Sequence, residues 1–250
     1  MTFDWNLLLL VLAGFIAGCI NTLAGGGSLI TLPTLIFLGL PPGVANGTNR
    51  IAIFLQTMSA TAGFRSKGVN PFPFSIYIGI SALIGAIIGA QIAVDIKGEA
   101  FNKILAVVMT IVVLVVVFKP KIKTQDFIER TEGKYKWIAI VAFFFFGIYG
   151  GFLNAGLGFV VILFLNHVNR MTLVKANATK VSVILIYMAA ALLVFILNDK
   201  VNWKLGLILA LGNTSGAWLA SRWSVKKGDK AVKIVLLIVV PLMAIKLWFF

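Results

Sequence analysis

The chain has 250 residues, 60% of them hydrophobic and 12% charged, with a formal net charge of +14, and its mean hydropathy of +1.02 excludes an ordinary soluble domain. Its one cysteine, Cys19, excludes an intrachain disulfide. The lysines and arginines lie in short loops between apolar stretches, with no separate basic domain, which speaks for a lipid bilayer as the partner and against nucleic acid.

In chain order, Met1 to Gly18 lacks a basic leader and a small-residue cleavage site, so it reads as a retained membrane segment. The apolar stretch over 5–23 stops at Gly25-Gly26-Gly27, and a second over 28–39 ends at Gly39-Leu40-Pro41-Pro42-Gly43. At 1.5 Å per residue this second piece is about 18 Å long, too short for roughly 30 Å of hydrocarbon. Full spans are predicted near 44–64, 72–94 and 100–118, followed by a polar, charged stretch from Lys119 to Lys136. The order then repeats, with apolar pieces at 137–154 and 158–166 and spans near 172–197, 203–223 and 231–249. These runs are continuous rather than alternating, so they are helices and not barrel strands.

The repetition extends to motifs. Ala24-Gly25-Gly26-Gly27-Ser28 recurs as Ala155-Gly156-Leu157-Gly158-Phe159, and Ala45-Asn46-Gly47-Thr48-Asn49 as Ala176-Asn177-Ala178-Thr179-Lys180, both 131 residues later. Duplicated membrane halves with glycine-broken segments at matching positions are the strongest sequence pointer to a transporter's binding site.

The charges choose the topology. If each broken segment is a hairpin returning to its starting face, one face holds Arg65, Lys67, six cations in 119–136, Arg170, Lys175 and five in 222–233, and the other only Lys97, Lys103, Lys200, Lys204 and Lys246. If each broken segment crosses once, the faces hold 11 and 9. The excess of Lys and Arg on cytoplasmic loops selects the hairpin. The fold class expected is therefore all-α: a polytopic membrane protein of two inverted four-segment repeats, each a re-entrant glycine-broken helical hairpin plus three transmembrane helices. The first repeat covers 1–118, a cytoplasmic linker 119–136 and the second repeat 137–250. The amino terminus lies outside, and the location expected is the cell inner membrane.

Glycines let the backbone take positive φ and turn sharply, and Ser28 stands where it can cap the following helix. A helix amino terminus offers free N–H groups and about half a positive charge. Broken backbone at membrane depth is tolerated only inside protein or beside a wet cavity, so the two tips are expected to meet near the midplane. The rival reading of these glycines is close helix packing alone. On the span after Gly43, Asn46, Asn49, Arg50, Ile53 and Thr57 recur at helical spacing, a mostly polar stripe, with Arg50 about 10 Å deep. Asn177 and Lys180 take the matching face of the second half. Intramembrane cations are functional hypotheses by default, unless these long side chains snorkel to the surface.

All eight acidic residues, Asp4, Asp95, Glu99, Asp126, Glu129, Glu132, Asp199 and Asp229, fall in predicted loops or termini. The expected site is thus positive, suits a small anionic substrate and calls for no cofactor or metal. Export of an anion from a cell held negative inside runs downhill without a coupling ion, each charge gaining about 2.3 kcal/mol per 100 mV. The four-residue repeats Ser81, Gly85, Gly89, Ala93 and Gly212, Gly216, Ala220 read as helix-packing faces. Trp203, Trp218, Trp223 and Trp248 read as interfacial anchors. Cys19 reads as a small buried residue and His167 as a solvated loop residue.

The glycine breaks, the Ala-Asn-x-Thr motifs and the two-half layout resemble the TauE/SafE sulfite-exporter family over essentially the whole chain. The run AGGGSLITLP at Ala24–Pro33 and ANGTNR at 45–50 carry the resemblance most specifically, while the second half departs with Phe164 opposite Pro33 and Lys180 opposite Asn49. The resemblance implies transport of sulfite, sulfonates or related small sulfur-containing anions. By motif position it implies site residues Gly25, Gly26, Gly27, Ser28, Asn46, Thr48 and Asn49, with Gly156, Gly158, Asn177, Thr179 and Lys180 as counterparts. Arg50 and Thr57 join them from the polar stripe. The function expected is a secondary transporter exporting such an anion by alternating access; an anion channel and an uptake permease are the alternatives. A membrane enzyme is disfavoured because no predicted span holds a His, Asp or Glu to act as base, and for a non-transporting subunit the polar stripes would be surplus. Sequence leaves the oligomeric state open.

Overall fold

The computed structural model describes residues 5–96, 99–100, 103–104, 107 and 128–249, and α-helix is the regular secondary structure found among them. The span expected at 100–118 lies mostly outside the described residues, as do 119–127 of the expected linker and the acids Asp4 and Asp126.

The first helix, α1 (Trp5–Leu23), is apolar and stops where Gly25 takes a left-handed φ of 85°. The ten-residue α2 (Ser28–Phe37) folds back along it: Gly27 lies against Asn21, and Leu35 shares an apolar cluster with Leu10. Next, α3 (Pro42–Arg65) opens on a proline in its first turn, where the missing N–H costs no helical bond, and at 24 residues spans about 36 Å. The fourth helix, α4, covers Phe74–Asp95.

The pattern then recurs. Helix α5 (Gly133–Phe152) ends at a break where Gly156 has a φ of 71°, and the eleven-residue α6 (Leu157–His167) and then α7 (Leu173–Leu197) follow. The two last expected spans are one element, α8 (Trp203–Phe249), interrupted at Gly228 with φ 72° and ψ −174°. Asp229 beyond the break accepts hydrogen bonds from the backbone N–H of Leu173 and Val174, closing the first turn of α7. Among the described residues three helices, α4, α5 and α7, are long and apolar enough to cross a membrane.

Packing comes in matched pairs. Helix α1 packs on α8 as α5 packs on α4; α3 packs on α8 as α7 packs on α4; α3 and α7 meet each other. The small-residue stripes set the closest of these contacts. A Cβ on Gly212 would lie 2.7 Å from Phe15 N of α1, and one on Gly89 would lie 2.7 Å from Ile148 C of α5. Without side chains the helix backbones approach until van der Waals contact is backbone to backbone. The main core, around Ile78, Ala82, Phe143, Ile162 and Ile184, lies between α4, α5, α6 and α7. Ile76, Ile80, Ile84, Ile87 and Ile88 cover the opposite face of α4 and are exposed, as a surface for acyl chains would be.

Candidate functional site

The two glycine breaks touch. A Cβ on Gly158 would lie 2.5 Å from Gly25 Cα and 3.1 Å from Gly25 O, a clash no side chain survives. The segments 24–28 and 155–159 therefore meet through bare backbone, which only glycine at both positions permits. Gly25 and Gly156 take the positive φ expected at each turn, whereas Gly27 is right-handed at φ −55° and needs its small size for a different reason. A Cβ there would lie 2.6 Å from Asn21 Cβ.

The expected cap does not form. Gly27 is the N-cap residue of α2 and no side chain caps the helix; Ser28 is already helical and its Oγ is buried without a partner. A capping hydroxyl must precede the first helical residue to reach the N–H groups one turn on, and Ser28 stands one position too late. The N–H groups of Gly26 and Gly27 donate to no backbone carbonyl. The first tip thus presents free donors.

Four motif side chains gather at the breaks, each reaching across to the other half. From α3, Arg50 Nη1 donates to Gly150 O at 3.2 Å, and Nη2 to Gly151 O and to Phe152 O at 3.2 Å, with the guanidinium 4.3 Å above the Phe195 ring. Asn46 Nδ2 adds a bond of 2.8 Å to Phe152 O. From α7, Lys180 Nζ donates to Asn21 O at 2.8 Å, Thr22 O at 3.0 Å and Asn177 Oδ1 at 2.7 Å, and Asn177 Nδ2 donates to Leu23 O at 3.2 Å. Arg50 is 1% exposed and Lys180 0%. The physical reason is common to both. The last four carbonyls of a helix have no intrahelical partner and carry about half a negative charge, so a broken helix buried in protein calls for a cation at its C-terminal end. Helix α3 of the first half supplies it to α5, and α7 of the second half supplies it to α1.

The threonine hydroxyls bond to groups other than the tips. Thr48 Oγ1 accepts from Asn202 N at 2.9 Å, Thr179 Oγ1 donates to Met171 Sδ at 3.6 Å, and Thr57 Oγ1 donates back to Ile53 O at 2.9 Å within α3. Asn49 is buried with its Oδ1 unpartnered.

Sequence reasoning missed three amides beside the first tip. Asn21 Nδ2 donates to Gln56 Oε1 at 3.0 Å and Asn213 Nδ2 reaches the same oxygen at 3.5 Å, joining α1, α3 and α8. The signal was present: Gln56 stands seven residues after Asn49 on the same face, and Asn21 and Asn213 interrupt apolar runs. Beside the second tip, Tyr187 OH donates to Asn154 Oδ1 at 2.6 Å, and Tyr149 OH donates to Ala155 O. Among the described residues no group of three or more His, Cys, Asp or Glu is placed to hold a metal ion.

The profile of the family Sulfite exporter TauE/SafE matches residues 10–247, from the first turns of α1 to the end of α8. The chain belongs to this family. Curated relatives of this TauE/SafE protein align over nearly all of its length. A "Probable membrane transporter protein" of Haemophilus influenzae is 28% identical over 96% of this chain and 94% of its own, and "Probable membrane transporter protein ORF9" of a Sinorhizobium species is 30% identical over 96% and 92%. "Probable membrane transporter protein YfcA" of Escherichia coli is 29% identical over 95% and 88%. No solved structure matches. The TauE/SafE chain is a membrane protein with a transport role, and its touching, cation-clasped helix breaks are the candidate site.

Proposed function

We propose that this TauE/SafE protein exports a small sulfur-containing anion of the sulfite, sulfonate or sulfoacetate type. It is a secondary transporter working by alternating access around the glycine tips. One observation carries the reading: Gly25 and Gly158 meet while Gly26, Gly27 and Ser28 keep unpartnered polar groups at that junction. The free N–H groups at the start of α2 bind the anion, and Arg50 and Lys180 make its surroundings positive, with no buried carboxylate among the described residues. Asn46 and Asn177 hold the tips.

The matched packing of α1 with α8 and of α5 with α4 supports two repeats, 1–118 and 137–250, joined by the linker 119–136. The charge distribution supports inverted repeats with re-entrant hairpins and an external amino terminus in the cell inner membrane. Rocking of each hairpin against the α3 or α7 of the other half would open the site to one side at a time.

The test is sulfite flux in proteoliposomes with the potential clamped by valinomycin. Efflux from an interior held negative rises steeply with potential and saturates with sulfite concentration. Flux indifferent to potential refutes uncoupled export of a charged substrate, and unitary current steps would make the protein a channel.

A further inference from the structure

Buried polar atoms without a hydrogen-bond partner include Thr22 Oγ1, Ser28 Oγ, Asn49 Oδ1, Gln56 Nε2 and Asn213 Oδ1. None of these five residues is more than 2% exposed. All of them stand on α1, α2, α3 and α8; Thr22 and Ser28 flank the first tip, and Gln56 and Asn213 meet Asn21 beside it. In the 131-residue register their counterparts around the second tip are Leu153, Phe159, Lys180, Tyr187 and Ala82. Leu153, Phe159 and Ala82 are buried apolar side chains; the Lys180 ammonium is taken by three acceptors and the Tyr187 hydroxyl by Asn154. Among the described residues the same condition holds for Arg50 Nε at the second tip and for Ser75 Oγ and Asn169 Oδ1, so the unmet capacity is greater at the first tip but not confined to it. An orphaned buried polar group costs about 1–3 kcal/mol, so Thr22, Ser28, Gln56 and Asn213 together beside the first tip call for a partner.

The amides define what is missing. Gln56 Oε1 accepts from both Asn21 and Asn213, which leaves Gln56 Nε2 as a free donor and Asn213 Oδ1 as a free acceptor. Exchanging the amide ends throughout the trio reverses these roles and still leaves one donor and one acceptor. The trio abuts the tip, because Gly27 packs on Asn21 Cβ, and Gly18 of α1 packs on the Asn213 backbone. A bare oxyanion only accepts hydrogen bonds, so it would leave the free acceptor unpaired. A group that both donates and accepts, a hydroxyl, fits.

We propose that Asn21, Gln56 and Asn213, with Thr22 and Ser28, form an end-group subsite that recognises a hydrogen-bond-donating substituent on the transported anion. Gln56 and Asn213 are its specificity-determining residues. This rests on the anion site proposed above: the acidic head sits at the Gly26–Gly27 N–H groups, and the donor-bearing end points toward α8.

The experiment compares two probes that differ by one hydroxyl, 2-hydroxyethanesulfonate and ethanesulfonate, with sulfite as reference, titrated calorimetrically into the full chain in nanodiscs. The wild-type protein binds the hydroxylated probe about tenfold more tightly. Gln56→Met and Asn213→Leu each bring the two probes within about twofold, because the hydroxylated probe loses its advantage. Equal wild-type affinities overturn the subsite without needing any variant, as does a preference that survives both substitutions. Sulfite binding with neither sulfonate bound also overturns the subsite and leaves the anion site standing. Failure of all three probes to bind removes the anion site itself.

Discussion

Replacing Lys180 by Met keeps a long unbranched side chain and deletes the ammonium that holds Asn21 O, Thr22 O and Asn177 Oδ1 at 2.8, 3.0 and 2.7 Å. Each such bond to a charged group contributes about 1.5–3 kcal/mol, while losing a wholly buried charge relieves its desolvation. Removing one side of a buried charged arrangement costs about 3–5 kcal/mol on balance. The lower part of that range applies, about 3–4 kcal/mol, because the stranded partners are carbonyls rather than a carboxylate. For a chain of 250 residues, at about 2–4 °C per kcal/mol, the thermal midpoint falls by about 6–16 °C. Tryptophan fluorescence of nanodisc samples measures it, and hydrogen exchange shows where it arises: the amides from Asn21 to Gly27 lose protection first, ahead of α4 and α5. Sulfite affinity falls as well. A midpoint within about 2 °C of wild type, with unchanged exchange at the first tip, would refute the clasp.

Gly25→Ala combines a φ of 85° with a Cβ 2.5 Å from Phe159 N, and is expected to abolish monodisperse protein in detergent chromatography. Gly39→Ala meets a similar φ of 89° with nothing within 4 Å, so it costs about 1–2 kcal/mol and the protein stays monodisperse. Equal behaviour of the two would remove the argument that the tips touch. Gly85→Leu drives a side chain into Phe144 and Ile148 of α5 and lowers the thermal midpoint by more than a leucine at the solvent-facing Gly68 does. Asp229→Ala strips two bonds of 2.8 and 2.9 Å from the start of α7 and lowers stability by about 1–2 kcal/mol. Faster hydrogen exchange at Leu173 and Val174 checks it, and unchanged exchange there would show the cap idle.

Sequence alone determined the helical class, most element boundaries, the two glycine breaks and the burial of Arg50 and Lys180. Those follow from local physics: apolar length, the freedom of glycine and the scarcity of intramembrane charge are written residue by residue. It also picked out Asn46 and Asn177 by their repetition. Tertiary structure decided what the donors do. Whether a buried cation faces a ligand or a helix end depends on which backbone stands opposite, and Gly150, Gly151 and Phe152 lie about 100 residues from Arg50 in the chain. The turning of Thr48 toward Asn202, and the meeting of Asn21, Gln56 and Asn213 from three helices, are likewise set by helix rotation and packing, which spacing along one helix does not encode. The different surroundings of the two tips are the clearest case, because the repeated motifs hide them: the same 131-residue step that duplicates the backbone breaks places Thr22, Gln56 and Asn213 opposite Leu153, Tyr187 and Ala82.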